Sequence, residues 1–326
     1  MKGSEAKKRA DAIRSGETRS IARAISSIEE GVEGTDALLD ELFGDVGGAH
    51  RVGVTGPPGS GKSSLITRLT ERLIDREKSV GIVAVDPSSP FSGGALLGDR
   101  VRMSDIRHPL VFIRSMASRG TSGGLAPTTL QVSDVLDASG KDFLLIETVG
   151  VGQSEVDVRS LVDTTMLVLT PDSGDSIQAM KAGLMEIGDP IVINKKDRGG
   201  ADRVEQQIRS ILNMRRTTTS GAPDPDEQRD VSILQTSARD DEGVDALFDL
   251  MMNRRREATG ETGRARSAEL VTRQLELVLR DRLLGKLERV PSLVERKQEA
   301  VQRILEGTLS PYGAAREIVD KIEFSP

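Results

Sequence analysis

The sequence predicts an α/β fold: a mostly parallel central sheet covered by helices. Three observations carry this. Short apolar runs alternate with longer helix-like stretches from about residue 51 onward. A glycine-rich turn separates the first run from an apolar helical stretch. Several of the runs end in a carboxylate or an amide, as strands do when a site lies beyond their ends.

The runs are Arg51–Thr55, Val80–Asp86, Leu110–Ile113, Phe143–Glu147, Thr165–Thr170, Pro190–Asn194 and Val231–Thr236. Before them, residues 1–50 read as helical. Ile21, Ala22, Ile25 and Ile28 recur at helical spacing, and Ala37, Leu38, Leu39, Leu42 and Phe43 form a second stripe. After them, residues 257–326 turn helical again. Leu270, Leu277 and Leu284 fall seven apart, and Val271, Leu275, Val278, Leu279 and Leu283 fill neighbouring stripes. That helix is apolar on more than one face, so it needs a second cover beyond its own domain. The expected organisation is a helical extension (1–50), a central domain (51–256) and a helical arm (257–326). Two stretches read as loops: Pro87–Asp99, rich in Ser, Pro and Gly, and Arg215–Asp230, almost without apolar residues.

Composition narrows the function. The chain has 326 residues and a net charge of -6, which does not suit broad nucleic-acid binding. Aromatics are 2% and Trp is absent, so base-stacking platforms are not expected. No apolar run approaches the ~18 residues of a membrane span. The N-terminus is charged and lacks the apolar stretch of a signal peptide, which points to a cytoplasmic protein with no membrane partner. Cys is absent and His is limited to His50 and His108, which argues against a soft-metal site. Both histidines read as surface residues.

Gly56-Pro57-Pro58-Gly59-Ser60-Gly61-Lys62-Ser63 fits G-x-x-x-x-G-K-[ST] between a strand and a helix that opens at Ser64. Glycines let backbone N–H groups curl around phosphates, and the helix N-terminus adds a favourable dipole. Lys62 is placed to reach the outer phosphates, and Ser63 to bind Mg²⁺. Asn194-Lys195-Lys196-Asp197 follows a strand as N-K-x-D. Asp197 has the chemistry to accept from the ring N–H and exocyclic amine of guanine. Adenine offers neither, and a buried carboxylate would be left unpaired. Thr236-Ser237-Ala238-Arg239 follows the last strand, where a backbone N–H can meet the guanine oxygen. The pair of motifs favours GTP over ATP.

Glu147 ends an apolar strand at the position that holds Mg²⁺ in phosphate-loop enzymes. Asp86 and Asp99 are further candidates for the metal shell. The residue after Gly150 is Val151, where Ras-like enzymes carry a water-orienting Gln, and Gln153 stands two positions on. Slow hydrolysis by the isolated protein, with stimulation by a partner, is therefore expected. Gln153 joins Lys62 and Glu147 as a candidate catalytic group.

Together these motifs resemble the MeaB/ArgK family of GTPases, chaperones of adenosylcobalamin-dependent methylmalonyl-CoA mutase. The resemblance is carried by Gly53–Ser64, Val85–Met103, Phe112–Ala117, Gly123-Gly124-Leu125, Glu147–Glu155 and Ile187–Asp197. Ser310–Ala315 and the Ile21–Ile28 helix also look like the family. It implies a P-loop GTPase of the metallochaperone-like branch, with GTP/GDP and Mg²⁺ as ligands. It implies that Ser63, Asp86, Asp99 and Glu147 gather around the metal. It further implies a homodimer through the C-terminal arm, a switch loop at Asp172–Lys181, and an acyl-CoA mutase as partner. Thr121-Ser122 departs from the family's bulkier pair, and Arg215–Asp230 is not a family hallmark.

Three other readings compete with this one. An ArgK-type ATP-dependent kinase linked to amino-acid transport is opposed by N-K-x-D. A nickel-inserting GTPase is opposed by the lack of Cys and the scarcity of His. A scaffold that binds GTP without turnover would be exposed by single-turnover hydrolysis.

Overall fold

The computed structural model describes residues 3–86, 106–117, 125–148, 158–171, 189–218, 231–258 and 261–320. Seven strands form one sheet: β1 (His50–Thr55), β2 (Val80–Asp86), β3 (Val111–Ala117), β4 (Phe143–Thr148), β5 (Thr164–Leu169), β6 (Ile191–Ile193) and β7 (Ile233–Gln235). Their order is β3-β2-β4-β1-β5-β6-β7, and every pairing is parallel. β1, β4 and β5 are buried at every position, as apolar runs covered on both faces must be.

Alternation along the strands sends side chains to two cores. On one face, Val52, Val54, Ile82, Phe143, Leu145 and Val168 pack against α4 (Lys62–Asp75) and α7 (Val244–Glu257). On the other, Val83, Val85, Leu144 and Ile146 pack against α5 (Leu125–Ala138) and the N-terminal helices α1 (Gly3–Arg14), α2 (Thr18–Glu29) and α3 (Thr35–Leu42). Helix α6 (Ala201–Thr218) covers β5 and β6.

The N-terminal helices are thus part of the sheet's own core. α2 buries Ile21, Ala24, Ile25 and Ile28, so Ala24 takes the place the sequence suggested for Ala22. Each large side chain of that row contributes roughly 1.5–3 kcal/mol of burial. Phe43 leaves its expected stripe and is 76% exposed. The α-helix ends at Leu42, and the tighter 3₁₀ turn Phe43–Asp45 rotates Phe43 outward.

One carboxylate fastens this extension to the sheet. Asp137, near the end of α5, accepts from the N–H groups of Gly47, Gly48 and Ala49 at 2.9, 3.0 and 2.9 Å. It also accepts from Arg51 at 3.0 Å, and Arg51 reaches Asp134 at 2.8 Å. The segment that leads from α3 into β1 is therefore held by charge-assisted bonds.

Two expectations need correction. His50 is buried: its Nε2 lies 3.1 Å from Thr164 Oγ1, and its ring meets Phe143 edge-on at 5.9 Å. As the first residue of the innermost strand, it shares the burial of β1. Burial pushes its imidazole below the ordinary value; nearby Asp163 opposes the fall and Arg255 adds to it. His108 is exposed, as expected. The stretch from Arg215 is also not loop throughout, because α6 continues to Thr218. Residues 219–230 lie outside the described residues.

The C-terminal part holds α8 (Glu261–Arg289), α9 (Pro291–Leu305) and α10 (Pro311–Val319). Proline opens α9 and α10 at their first positions, and Ser310 Oγ caps α10 by accepting from Gly313 N–H at 3.1 Å. α8 shows the expected two faces. Leu277 and Val278 pack on the core, whereas Val271, Leu275, Leu279 and Leu283 are exposed. Among the described residues, no helix is long and apolar enough to cross a membrane.

Replacing Asp137 by Ala strands three backbone donors and leaves the Arg51 guanidinium with Asp134 alone. Urea unfolding should show a loss of about 3–5 kcal/mol. A loss below about 1 kcal/mol would show that the carboxylate does not fasten the extension.

Candidate nucleotide site

Because all strands run parallel, the carboxyl ends of β1, β2, β4, β6 and β7 gather on one edge of the sheet. β1 leads to β2 on one side of the strand order, whereas its neighbour β4 leads to β5 on the other. Adjacent connections that diverge in this way open a crevice beyond β1 and β4, where open α/β sheets bind ligands.

The glycine-rich loop fills that crevice. Gly56 has φ +139°, and a Cβ there would stand 2.1 Å from the Val168 carbonyl oxygen. Gly61 has φ +92°, and a Cβ there would strike the Asn194 amide at 2.3 Å. Both positions thus require glycine for conformation and for space. Lys62, the first residue of α4, is buried; its Nζ donates to the Gly56 and Pro57 carbonyls at 2.8 and 3.1 Å. Lys195 likewise donates to the Gly59 carbonyl at 2.5 Å. Ser60 Oγ is buried and has no hydrogen-bond partner among the described residues. A cradle closed to Cβ atoms, with a buried orphan hydroxyl and two lysines folded onto it, fits a polyphosphate.

At the adjoining strand ends, Ser63 Oγ donates to Glu147 Oε1 at 2.7 Å. Glu147 is buried near the end of β4, and the next residue, Thr148, donates to Thr55 Oγ1 at 3.0 Å. The Ser63 oxygen keeps lone pairs for a cation while its O–H points at Glu147. Hard oxygen donors of this kind suit Mg²⁺, which binds through one or two protein groups plus phosphates and water. Among the described residues, no group of three His, Cys, Asp or Glu side chains is arranged to hold a metal alone. The backbone of Asp86 closes β2 on the same edge. Asp99, Gln153 and the Asp172–Lys181 loop, apart from its preceding strand, lie outside the described residues.

Asn194 joins the two halves of the site. It is 1% exposed. Its Nδ2 donates to the Ser60 carbonyl at 2.8 Å, and its Oδ1 accepts from Thr236 Oγ1 at 3.2 Å and Ala238 N–H at 3.1 Å. Of the turn expected to offer a backbone N–H to a base, Ala238 N–H binds Asn194 in this structure. Lys195 takes a left-handed backbone conformation at φ +61°, and the 3₁₀ turn Lys196–Arg198 follows. That turn lifts Asp197 to the surface, so the carboxylate expected to be buried is exposed. Asp197 accepts from Ser237 Oγ at 2.9 Å, and Asp240 Oδ2 lies 2.9 Å from the same hydroxyl. One proton serves two carboxylates there, which leaves acceptor capacity directed outward. Ser64 is exposed on the first turn of α4, and Arg239 is exposed beside Ala238. Sequence reasoning missed the Thr55–Thr148 pair and Asp240, whose partners come from separate strand ends and loops.

A parallel sheet with this loop and this crevice defines a P-loop nucleotide hydrolase. The solved structure described as LAO/AO transport system kinase shares the fold, with TM-score 0.68, 24% identity and 99% coverage of both chains. The family model for methylmalonyl-CoA mutase-associated GTPase MeaB matches residues 21–291. The chain is 31% identical to the GTPase ArgK of Escherichia coli, covering 95% of each. It is 35% identical to the mitochondrial methylmalonic aciduria type A homolog of Mus musculus, covering 81% of this chain and 63% of that one. The chain belongs to the MeaB/ArgK family and is a GTPase.

Two substitutions probe the site. Asp197→Asn exchanges an acceptor for a donor, which matches the 2-oxo group of xanthine. GTP binding should fall by about a hundredfold or more and xanthosine triphosphate should become the tighter ligand in calorimetry. Retained GTP preference would remove Asp197 from base recognition. Glu147→Gln should reduce magnesium-dependent turnover by about a hundredfold while GDP affinity without magnesium stays within about threefold. Equal magnesium dependence in the variant and the parent would exclude Glu147 from the metal shell.

Proposed function

We propose that this GTPase gates cofactor loading of an adenosylcobalamin-dependent acyl-CoA mutase, protecting the mutase from receiving or keeping damaged cofactor. Membership in a family described by its mutase association carries the reading. The mouse relative named for methylmalonic aciduria supports it.

Within that reading, Gly56 to Ser64 hold the phosphates of GTP or GDP, with Lys62 at the outer phosphates. Asn194, Lys195, Asp197, Ser237, Ala238 and Arg239 receive the guanine. Ser63 and Glu147 would hold Mg²⁺, with Asp86 and Asp99 completing its surroundings. When bound, Mg²⁺ would supply positive charge that offsets the negative charge developing on the phosphates. Gln153 or a group from the partner orients the attacking water. Loss of the outer phosphate releases the loops that follow β2 and β4, and the mutase senses the release.

The division into residues 1–50, 51–256 and 257–326 belongs to the same proposal. So does dimerisation through α8, supported by the exposed row Val271, Leu275, Leu279 and Leu283. The ATP-dependent kinase alternative has no comparable support, since Asp197 stands where a purine-selecting carboxylate belongs.

Turnover of GTP and ATP should be measured with and without a purified adenosylcobalamin-dependent mutase. The expected result is slow GTP hydrolysis alone, at least about tenfold stimulation by the mutase, and little use of ATP. Unchanged turnover in the presence of every such mutase from the same cell would defeat the gating role. ATP preference would restore the kinase alternative.

A further inference from the structure

The phosphate-loop helix carries a row of arginines that the nucleotide motifs do not include. Arg68 and Arg72 lie four residues apart on α4 and share one face, and Arg76 follows at its C-cap. Arg68 Nε donates to the Ala238 carbonyl at 3.1 Å. Arg72 donates to Asp241 at 2.6 Å and to Asp245, in the first turn of α7, at 3.1 Å. Arg68 also faces the other Asp241 oxygen at 3.9 Å. Arg76 differs: its guanidinium lies over the Phe248 ring at 4.9 Å and serves the packing of α4 on α7.

The loop that Arg68 and Arg72 grip is the one that meets the base. It closes on itself through reciprocal backbone bonds between Ser237 and Glu242 at 2.9 and 3.1 Å. Asp241 sits in the left-handed region at φ +60°, a conformation an Asp side chain holds better when its carboxylate is anchored. Gly243 follows at φ +72°, where a Cβ would stand 2.2 Å from the Gln235 carbonyl oxygen. Ser237 in turn bonds Asp197. A chain of contacts therefore runs from α4 through the loop to the purine-facing carboxylate.

The same helix begins at Lys62 and Ser63. Arg68 lies six positions on, about 9 Å along the axis at 1.5 Å per residue. One rigid rod thus touches the phosphate cradle at its first turn and the base loop at its second and third.

We infer that Arg68 and Arg72 are positioning residues for guanine recognition: they fix the Thr236–Glu242 loop, and through Ser237 the Asp197 carboxylate, at a set distance from the phosphate cradle. The inference rests on Asp197 as the purine-selecting group. The arginines bond the loop and the helix after it. Their effect falls on the base end of the ligand and spares the phosphate end.

The test is calorimetry on the full chain with GDP, ADP and inorganic pyrophosphate. Arg68→Ala/Arg72→Ala should weaken GDP by about tenfold or more and leave pyrophosphate within about twofold, so the GDP-to-ADP preference falls. Arg68→Lys/Arg72→Lys keeps a donor and a charge at each position and should restore much of that preference. Arg76→Ala should lower the melting temperature without changing the preference. An unchanged preference in Arg68→Ala/Arg72→Ala, or parallel loss of GDP and pyrophosphate binding, would overturn the inference. Should the double variant fail to fold, Arg68→Ala alone removes the carbonyl contact and answers the same question. Asp197→Asn, run alongside, separates the two failures. If it keeps guanine preference, the purine reading fails. If it loses that preference while the arginine variants keep it, only the positioning role fails.

Discussion

The site depends on one buried amide. Asn194 donates to the phosphate loop at Ser60 and accepts from the base loop at Thr236 and Ala238. Its amide nitrogen would lie 2.3 Å from a Cβ at Gly61, so the loop passes closest where no Cβ stands. Three bonds from one residue hold together turns that follow β1, β6 and β7. In a buried setting an amide left half satisfied costs about 1–3 kcal/mol, so these turns settle together or not at all. The motifs are separate in sequence but form one unit in space.

The sheet explains why those turns meet. Parallel pairing brings every carboxyl end to one edge, and the order β3-β2-β4-β1-β5-β6-β7 puts β1 at the divide. The crevice is a consequence of topology, and the loop chemistry then suits it to a polyphosphate. The helix after β1 has two tasks. It presents Lys62 and Ser63 at one end, and its arginines reach the base loop farther along.

Much of this was legible in the sequence because it depends on local signals. All seven apolar runs became strands, the central ones because a sheet covered on both faces draws on mostly apolar runs. The phosphate loop stood out because its glycines answer local steric needs. Residues whose roles come from distant neighbours were not legible. His50 looked like a surface residue, but Thr164 and Phe143 enclose it. Asp137 gave no sign that it would receive three backbone N–H groups from a segment about ninety positions earlier. Arg68 and Arg72 resembled any solvated helix face. Asp197 was expected to be buried, but the 3₁₀ turn carries it to the surface.

The separation between the N-terminal helices and their fastening point has a consequence for synthesis. The apolar row Ile21, Ile25 and Ile28 leaves the ribosome well before β4 and α5, which complete its cover. Gly47 and Asp137 are 90 positions apart. At roughly 5–20 residues per second, the first helices wait on the order of 5–20 s without their partners. During that interval the nascent chain carries an uncovered greasy surface, which holding factors at the exit tunnel are suited to shelter.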